Sequence, residues 1–218
     1  MSRDKAIQHI GLFGGSFDPV HRGHLLAAKS VQQQLSLDEI IFLPAAQSPF
    51  KPRPKTSDKD RLAMLSLAID IYPEFRLDER ELLRSGPSYT IDTLRELVSE
   101  QPGNHYYLVM GMDAWAEFEN WHAWQEILGL CHLCVMTRPT YKAAVTGNVW
   151  RERWVDTVQQ IRQFKAGKLL FITVPASIAA SRKIREQIEN GRDPGQQLVA
   201  DVRDYIEREG LYRSENEK

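Results

Sequence analysis

The chain has 218 residues, a formal net charge of −1 at pH 7 and a pI of about 6.6. This length suffices for one large domain with a sizeable core, and the near-neutral charge argues against a general nucleic-acid binder, which would carry a basic excess. Because the chain shows neither a leader of charged and then apolar residues nor a long uncharged apolar run, we expect a soluble, cytoplasmic protein that does not enter a membrane.

The first predicted elements are a strand and a helix joined by a glycine-rich turn. Residues 10–13 are apolar, as in a buried strand, and residues 25–31 are typical of a helix. Between them, Gly14 and Gly15 let backbone N–H groups approach a ligand without an intervening side chain.

The start of this helix carries the first candidate site. Asp18 followed by Pro19 predicts the N-cap and the first helical position, because the N–H that proline lacks would have no partner there. His21 and His24 are three apart, which in a first helical turn places both imidazoles on one side. Since a helix start carries partial positive charge and free N–H donors, these features together predict a polyphosphate site. A solvated pair of histidines and a metal-binding pair are the alternatives.

A second strand at residues 40–43 leads into a proline-rich loop, residues 44–57. The loop contains the cations Lys51, Arg53 and Lys55, which make it a candidate flap over an anionic substrate. We assign Arg53 and Lys55 to the solvated surface and keep Lys51 as the candidate ligand.

The remaining elements alternate between strands and helices. Strands are predicted at residues 75–77, 106–110, 133–136 and 169–174. Helices are predicted after a cap at Ser57 or Asp58, from Thr90 onward, across the aromatic residues 115–128, and at residues 150–161, 181–190 and 199–209. This alternation predicts an α/β fold in which residues 1–218 form a single domain, a Rossmann-like doubly wound parallel sheet with helices on both faces.

In such folds, ligands bind beyond the carboxyl ends of the strands, at the point where the strand order reverses. The glycine–histidine turn, Asp113 and Arg138 each follow a predicted strand. We therefore expect these residues to form one composite site.

The two cysteines, Cys131 and Cys134, form a C-x-x-C pattern but imply no disulfide framework. In a strand, residues three apart point to opposite faces, and no second cysteine pair completes a zinc site. We interpret both as core thiols, and we predict no metal held by protein side chains.

The stretch from Gly14 to His24 resembles the G-x-F-D-P-x-H-x-G-H motif of the nucleotidyltransferase superfamily, and every named position of that motif is present. Other segments narrow the resemblance to the bacterial nicotinate-nucleotide adenylyltransferases. Residues 88–94 are similar to that family's S-Y-T-x-x-T-L segment. Four further segments occur in the family's order and spacing, namely residues 111–113, Trp121, residues 138–139 and residues 210–213.

The resemblance implies an enzyme that joins nicotinate mononucleotide to the adenylyl group of ATP, giving deamido-NAD and pyrophosphate with Mg²⁺. We expect the nucleotide phosphates to hold most of the Mg²⁺ coordination, since this ion keeps several of its waters. The implied partners are therefore the two substrates, with no nucleic acid and no membrane, and a homo-oligomer is compatible with the sequence.

The resemblance also implies residue roles on the ATP side. His21 and His24 would bind the phosphates, and Gly111 and Asp113 would meet the adenylate ribose. The residues that line the phosphate-binding turn would be Gly14, Gly15, Ser16 and Phe17. The residues of a second phosphate motif would be Ser181 and Arg185.

On the mononucleotide side, Tyr89 and Thr90 would present donors to the nicotinate carboxylate, and Trp121 would stack on the pyridine ring. Arg138 would help to hold the mononucleotide phosphate, with Lys51 as a further cation. Tyr89 and Trp121 as core aromatics, and Arg138 as a surface cation, are the alternatives.

Two segments depart from the family pattern. The motif I-S-S-T-x-I-R aligns with residues 179–185, where Ser181, Ile184 and Arg185 match but alanine and arginine replace two hydroxyl residues. The family's P-P-H-K loop aligns with residues 48–51, where Phe50 replaces the histidine. These departures leave two alternatives open: a nucleotide-binding protein with weak turnover, or nucleotidyl transfer to another phosphorylated acceptor such as phosphopantetheine.

Overall fold

The structure is a computed structural model that describes residues 6–49, 52–139 and 144–213. In the described ranges the strands, in chain order, are β1 (His9–Gly15), β2 (Glu39–Pro44), β3 (Phe75–Leu77), β4 (His105–Gly111), β5 (His132–Thr137) and β6 (Leu169–Thr173). These six parallel strands form one sheet in the order β3-β2-β1-β4-β5-β6.

The helices connect these strands and follow the last one. Within the described ranges the α-helices are α1 (Arg22–Leu35), α2 (Asp58–Ile69), α3 (Arg80–Leu83), α4 (Thr90–Glu100), α5 (Met112–Ala116), α6 (Trp124–Leu130), α7 (Asn148–Arg151), α8 (Val158–Ile161), α9 (Ser181–Glu189) and α10 (Ala200–Arg208). Short 3₁₀ helices span Phe118–Asn120 and Gly195–Gln197. None of the helices in the described ranges is long and apolar enough to cross a membrane.

Side chains on the two faces of the sheet enter two separate core layers. Along β1, Phe13 packs in the layer that contains α1, α2, α9 and α10, whereas Leu12 packs in the layer that contains α4 and α6. Successive residues of a strand point to opposite faces, so apolar residues at both positions are expected where helices cover both faces. The doubly wound parallel sheet predicted from the sequence is confirmed.

The strand order reverses between β1 and β4, because the chain builds outward from β1 to β3 and then returns to the other side of β1. The loops that leave β1 and β4 therefore open into one crevice at the carboxyl edge of the sheet, where α/β folds bind their ligands.

Two predicted helices are wrong in extent. Residues 115–128 do not form one helix: α5 ends at Ala116, a 3₁₀ turn follows, and Ala123 has φ of 53° immediately before α6. The rings of Trp115, Phe118 and Trp124 instead gather around Trp150, with centroids 4.5 to 5.9 Å from that ring. Packing of large aromatic side chains has overridden the local helical spacing.

The second such stretch is residues 150–161. Helix α7 ends at Arg151, and Trp154 forms an isolated parallel bridge with Leu169 before α8 begins at Val158. The spacing of the apolar residues is helical, but the backbone of this segment extends the edge of the sheet.

Cys131 and Cys134 lie in opposite core layers, and both are fully buried. Burial raises the pKa of Cys131 to about 12, and it raises the pKa of Cys134 as well. A thiolate is therefore disfavoured at both positions, and their interpretation as core thiols is confirmed.

Candidate active site

The turn between β1 and α1 differs from its prediction at the start of the helix. The N-cap is His21, so the expectation that Asp18 caps the helix and Pro19 begins it is wrong. The Asp18–Pro19 peptide is cis, and the Asp18 carboxylate accepts a hydrogen bond from the Tyr212 hydroxyl at 2.6 Å. That carboxylate therefore bonds the C-terminal segment, and an imidazole caps the helix start.

His21 and His24 cap the helix reciprocally. The backbone N–H of His24 donates to Nδ1 of His21, and the backbone N–H of His21 donates to Nδ1 of His24, each at 3.3 Å. The two rings are stacked, with centroids 3.7 Å apart and 13° between their planes. A ring that accepts at Nδ1 carries its proton on Nε2 when it is neutral, so both histidines present an Nε2–H donor.

Both imidazoles are neutral near pH 7. Burial lowers the pKa of His21 to about 4, and burial together with the neighbouring His21 ring lowers the pKa of His24 well below 6.5. A bound phosphate would oppose this shift, because a nearby negative charge favours the charged form of an imidazole.

Gly23 lies close to the His21 ring of the stacked pair, where a larger side chain would clash. A Cβ at this position would lie 3.0 Å from Cε1 and Nδ1 of His21 and 2.8 Å from Oγ of Ser177. The glycine between the histidines is therefore required by the close approach of the His21 ring.

The predicted turn residues 14–17 lie at the end of β1 and in the turn that leads from it to α1. Phe17 has φ of 45° and is buried, with its ring 5.1 Å from the ring of His24. Gly15 faces the Phe17 ring, and a Cβ there would lie 3.1 to 3.3 Å from it. Gly14 is exposed and Ser16 is half-buried, so the open side of the turn is formed by residues 14–16.

The second predicted phosphate motif contacts the turn itself. The Ser181 hydroxyl donates to the carbonyl of Pro19 at 3.0 Å. Arg185 donates from Nη1 to the carbonyl of Asp18, and the same nitrogen lies 3.9 Å from the Asp18 carboxylate. The start of α9 is thereby held against the turn before α1, which brings Ser181 and Arg185 to the same crevice as the histidines.

Two further predicted residues follow the neighbouring strands. Gly111 is the N-cap of α5, and Oδ1 of Asp113 would lie 2.7 Å from a Cβ at that position, so the carboxylate folds back over the glycine. Arg138 is exposed just beyond β5. Since β1, β4 and β5 are adjacent parallel strands, the turn, Asp113 and Arg138 all follow strands at the carboxyl edge of the sheet. That they form one composite site stays a prediction.

The Ser-Tyr-Thr segment begins α4. Tyr89 is the N-cap and Thr90 the first helical residue, and no side chain caps the helix within the described structure. The Tyr89 ring lies 4.7 Å from the ring of His122, which directly follows Trp121. Trp121 and Tyr89 both pack against the core layer that contains α4, and the contact of Tyr89 with His122 brings the start of α4 to the segment that contains Trp121.

His122 is a residue that the sequence did not single out. It lies in an irregular segment whose course depends on the aromatic packing around Trp150, and no local pattern reveals its contact with Tyr89. The predicted cation Lys51 and the neighbouring Phe50 lie outside the described residues.

The donors around the crevice suit phosphate better than a metal ion. The described residues contain no group of three or more histidine, cysteine, aspartate or glutamate side chains that could hold a metal. Imidazole Nε2–H groups and a helix start complement phosphate oxygens, and the buried carboxylate of Asp18 already accepts from Tyr212.

The chain is similar to known proteins over most of its length. The family model described as "Cytidylyltransferase-like" matches residues 12–187. One relative, "Probable nicotinate-nucleotide adenylyltransferase" of Acidithiobacillus ferrooxidans, is 39% identical over 93% of this chain and 95% of its own. A relative of the same name from Aeromonas salmonicida is 40% identical over 94% of this chain and 98% of its own.

Among solved structures, the chain is similar to "Plasmodium falciparum nicotinic acid mononucleotide adenylyltransferase complexed with NaAD". The TM-score is 0.71 at 19% identity, with 94% of this chain and 97% of that chain covered. At this identity the likeness establishes the Rossmann-like fold.

Proposed function

This chain belongs to the cytidylyltransferase-like family and, within it, to the nicotinate-nucleotide adenylyltransferases, and we propose that it joins nicotinate mononucleotide to the adenylyl group of ATP at the edge where β1, β4 and β5 end. The products are deamido-NAD and pyrophosphate, in a step of NAD biosynthesis. We extend this assignment to residues 1–218 as one nucleotidyltransferase domain. The cytoplasmic location and any homo-oligomer stay predictions.

The stacked pair of His21 and His24 is the observation that carries the proposal. Their Nδ1 atoms are used by the helix cap, so the protons of the neutral rings lie on Nε2 and take no part in the cap. Two such donors at a helix start form a site for the triphosphate of ATP.

The chemistry needs alignment more than it needs a base. An oxygen of the mononucleotide 5′-phosphate forms a bond to the α-phosphorus of ATP, and the bond from that phosphorus to the bridging oxygen of the pyrophosphate breaks. The attacking phosphate is already an anion, so no proton must be removed. The protein's task is to align the two phosphates and to stabilise the negative charge that develops on the departing pyrophosphate.

The acceptor side is proposed to lie at the start of α4. Without a side-chain cap, the first N–H groups of α4 attract an anion such as the nicotinate carboxylate. Tyr89, Thr90 and Trp121 would surround the pyridine ring, and the exposed Arg138 would meet the mononucleotide phosphate. Gly111 and Asp113, after β4, would meet the adenylate ribose.

Mg²⁺ supplies neutralisation of phosphate charge when it is bound. We propose that it enters with ATP and is held by the nucleotide phosphates and water. The residues around the turn fit this arrangement, because they offer donors to phosphate oxygens.

The assay is pyrophosphate release by the purified protein with ATP and Mg²⁺ and one acceptor at a time. We expect release with nicotinate mononucleotide and a much lower rate with nicotinamide mononucleotide or phosphopantetheine. Release with phosphopantetheine alone, or ATP binding without release with any acceptor, would contradict the proposal.

A further inference from the structure

Arg61 is a charged residue with no exposed surface. It lies on α2, and its relative exposure is 0%. Burying a guanidinium is costly unless its donors are hydrogen-bonded. Nη1 and Nη2 of Arg61 have partners, whereas its Nε is buried and has no hydrogen-bond partner in the part of the chain that the structure describes. The partners of the two terminal nitrogens therefore indicate what the residue does for the molecule.

Its partners are the ends of two strands. Nη1 donates to the carbonyl of Ser16 at 2.7 Å, just beyond β1, and Nη2 donates to the carbonyl of Ala45 at 2.8 Å, just beyond β2. Nη2 also meets Oδ1 of Asp58 at 2.6 Å. A planar guanidinium spans two such carbonyls in a fixed geometry, which a single ammonium group does not reproduce.

The contacts continue to the acceptor side through one peptide. The carbonyl of the Ala45–Ala46 peptide accepts from Arg61, and its N–H, on Ala46, donates to Oγ of Ser88 at 3.0 Å. The backbone N–H of Ser88 donates in turn to the carbonyl of Gln47 at 2.9 Å. Ser88 directly precedes Tyr89, the N-cap of α4.

A continuous set of hydrogen bonds therefore runs from the phosphate-binding turn to the start of α4. It passes from Ser16 to Arg61, then across the peptide that follows Ala45, and then to Ser88. The ladder between β1 and β2 adds a further tie, because the N–H of Ala45 donates to the carbonyl of Gly15 at 3.0 Å.

We propose that Arg61 is a positioning residue that fixes the ATP turn relative to the nicotinate segment, so that binding of one substrate favours binding of the other. This inference rests on the proposed function, because it takes Tyr89 and Thr90 as the acceptor side. Arg61 touches neither substrate and acts through the backbone of Ser16 and Ala45. Since in-line transfer depends on the separation of the two phosphates, a small displacement of either segment slows the reaction.

Arg61→Lys tests the proposal, because it keeps the positive charge and removes the planar guanidinium that donates to two carbonyls at once. Binding of nicotinate mononucleotide is measured by calorimetry with and without an ATP analogue that cannot be cleaved between its α- and β-phosphates. The ratio of the two dissociation constants is the coupling factor. We expect each substrate alone to bind within about threefold of wild type, the coupling factor to fall towards one, and turnover to fall by about tenfold or more.

The chain offers a matched control in Arg162. Its Nη2 donates to the carbonyls of Leu35 and Ser36 at 2.9 and 2.8 Å, at the end of α1 remote from the turn. Arg162→Lys makes the same chemical change and should leave both the coupling factor and turnover as in wild type.

Ser88→Ala is the second variant, and it removes the acceptor at the far end of the hydrogen-bond set while leaving the buried guanidinium in place; it also removes the hydrogen bond from Ser88 to the buried carboxyl of Glu81. It should also lower the coupling factor, and it decides the matter if Arg61→Lys does not fold. Wild-type coupling in folded Arg61→Lys or in Ser88→Ala overturns the inference, as does a coupling factor of one in the wild-type enzyme. Absence of pyrophosphate release from the wild-type enzyme would instead overturn the proposed function itself.

Discussion

The hydroxyl of Tyr212 donates to Oδ1 of Asp18 at 2.6 Å, although 194 positions separate the two residues in the chain. Asp18 is 6% exposed, so its carboxylate depends on partners within the protein. The C-terminal segment is thereby attached to the turn between β1 and α1, beside the contact that Arg185 makes with the Asp18 carbonyl.

Tyr212→Phe should weaken both the fold and ATP binding. Loss of a hydrogen bond to a buried carboxylate costs about 1.5–3 kcal/mol, and release of the turn should raise KM for ATP. Tyr205→Phe is the matched control, because it removes a similar bond, to Oδ1 of Asp60 at 2.9 Å, between α10 and α2. It should lower the unfolding midpoint without changing KM. Equal kinetic effects in the two variants would contradict a role for Tyr212 at the turn.

His24→Gln separates helix capping from catalysis. Glutamine at the third helical position can accept from the N-cap backbone as His24 does, so stability should stay close to wild type. His24→Ala removes that acceptor and should lose about 0.5–2 kcal/mol of stability. Turnover should fall in both, on the order of a hundredfold in His24→Ala, which has no side-chain donor, and by less in His24→Gln, whose amide N–H₂ can still donate. If His24→Gln retained wild-type turnover, the imidazole would have no part in the mechanism.

Gly23→Ala should reduce activity without unfolding the protein. Alanine is favoured over glycine within a helix by roughly 0.5–1 kcal/mol. The added Cβ, however, would lie 3.0 Å from the ring of His21 and displace it from the stack. We expect an unfolding midpoint near or above that of wild type together with a large loss of turnover. Unchanged turnover would show that the position of the His21 ring is not critical.

Stability should decrease in mild acid because of His132. This fully buried ring bonds the carbonyl of Phe164 through Nε2 at 3.0 Å and accepts from the N–H of Lys168 at Nδ1. Burial lowers its pKa to about 4, from an ordinary value of 6.5, so the unfolded chain binds a proton that the folded chain does not. The free energy of unfolding therefore falls as the pH drops from about 6.5 to about 4, by about 1.4 kcal/mol per pH unit for this group.

Urea unfolding between pH 7 and pH 5 measures this effect. His132→Asn should be less stable than wild type at pH 7 but should lose less stability on acidification, since one of the groups that bind protons on unfolding is gone. His21, whose pKa burial also lowers to about 4, keeps a similar contribution in both proteins. Parallel curves for the two proteins would rule out His132 as a source of the acid sensitivity.

The sheet could be predicted because its signals are local. Apolar runs bounded by glycine or proline mark β1 and β2 within a few residues, and the alternation of strands and helices determines the parallel arrangement. The aromatic residues around Trp150 could not be placed in the same way. Their helical spacing is real, but the rings pack on one another across segments that are distant in sequence.

The residues of the candidate site also divide into those with a local sequence signal and those that depend on packing between distant segments. His21 and His24 are candidates because their spacing and the preceding glycines form a local pattern, and Asp113 is a candidate because it follows a strand; their roles stay predictions. Arg61 and the contact of Tyr212 with Asp18 depend on how remote segments pack, so no sequence window contains the information. The helix start at residue 22 was missed because the Asp18 side chain is engaged by Tyr212.

The burial of Cys131 and Cys134 has a practical consequence for spectroscopy. These are the only cysteines of the chain, and neither exposes its sulfur or readily forms a thiolate. A maleimide dye should therefore leave the native protein unlabelled and attach only where a new cysteine is introduced. Ile178 is 85% exposed and lies just before α9, so a fluorophore there would report the arrival of nucleotide at the neighbouring turn.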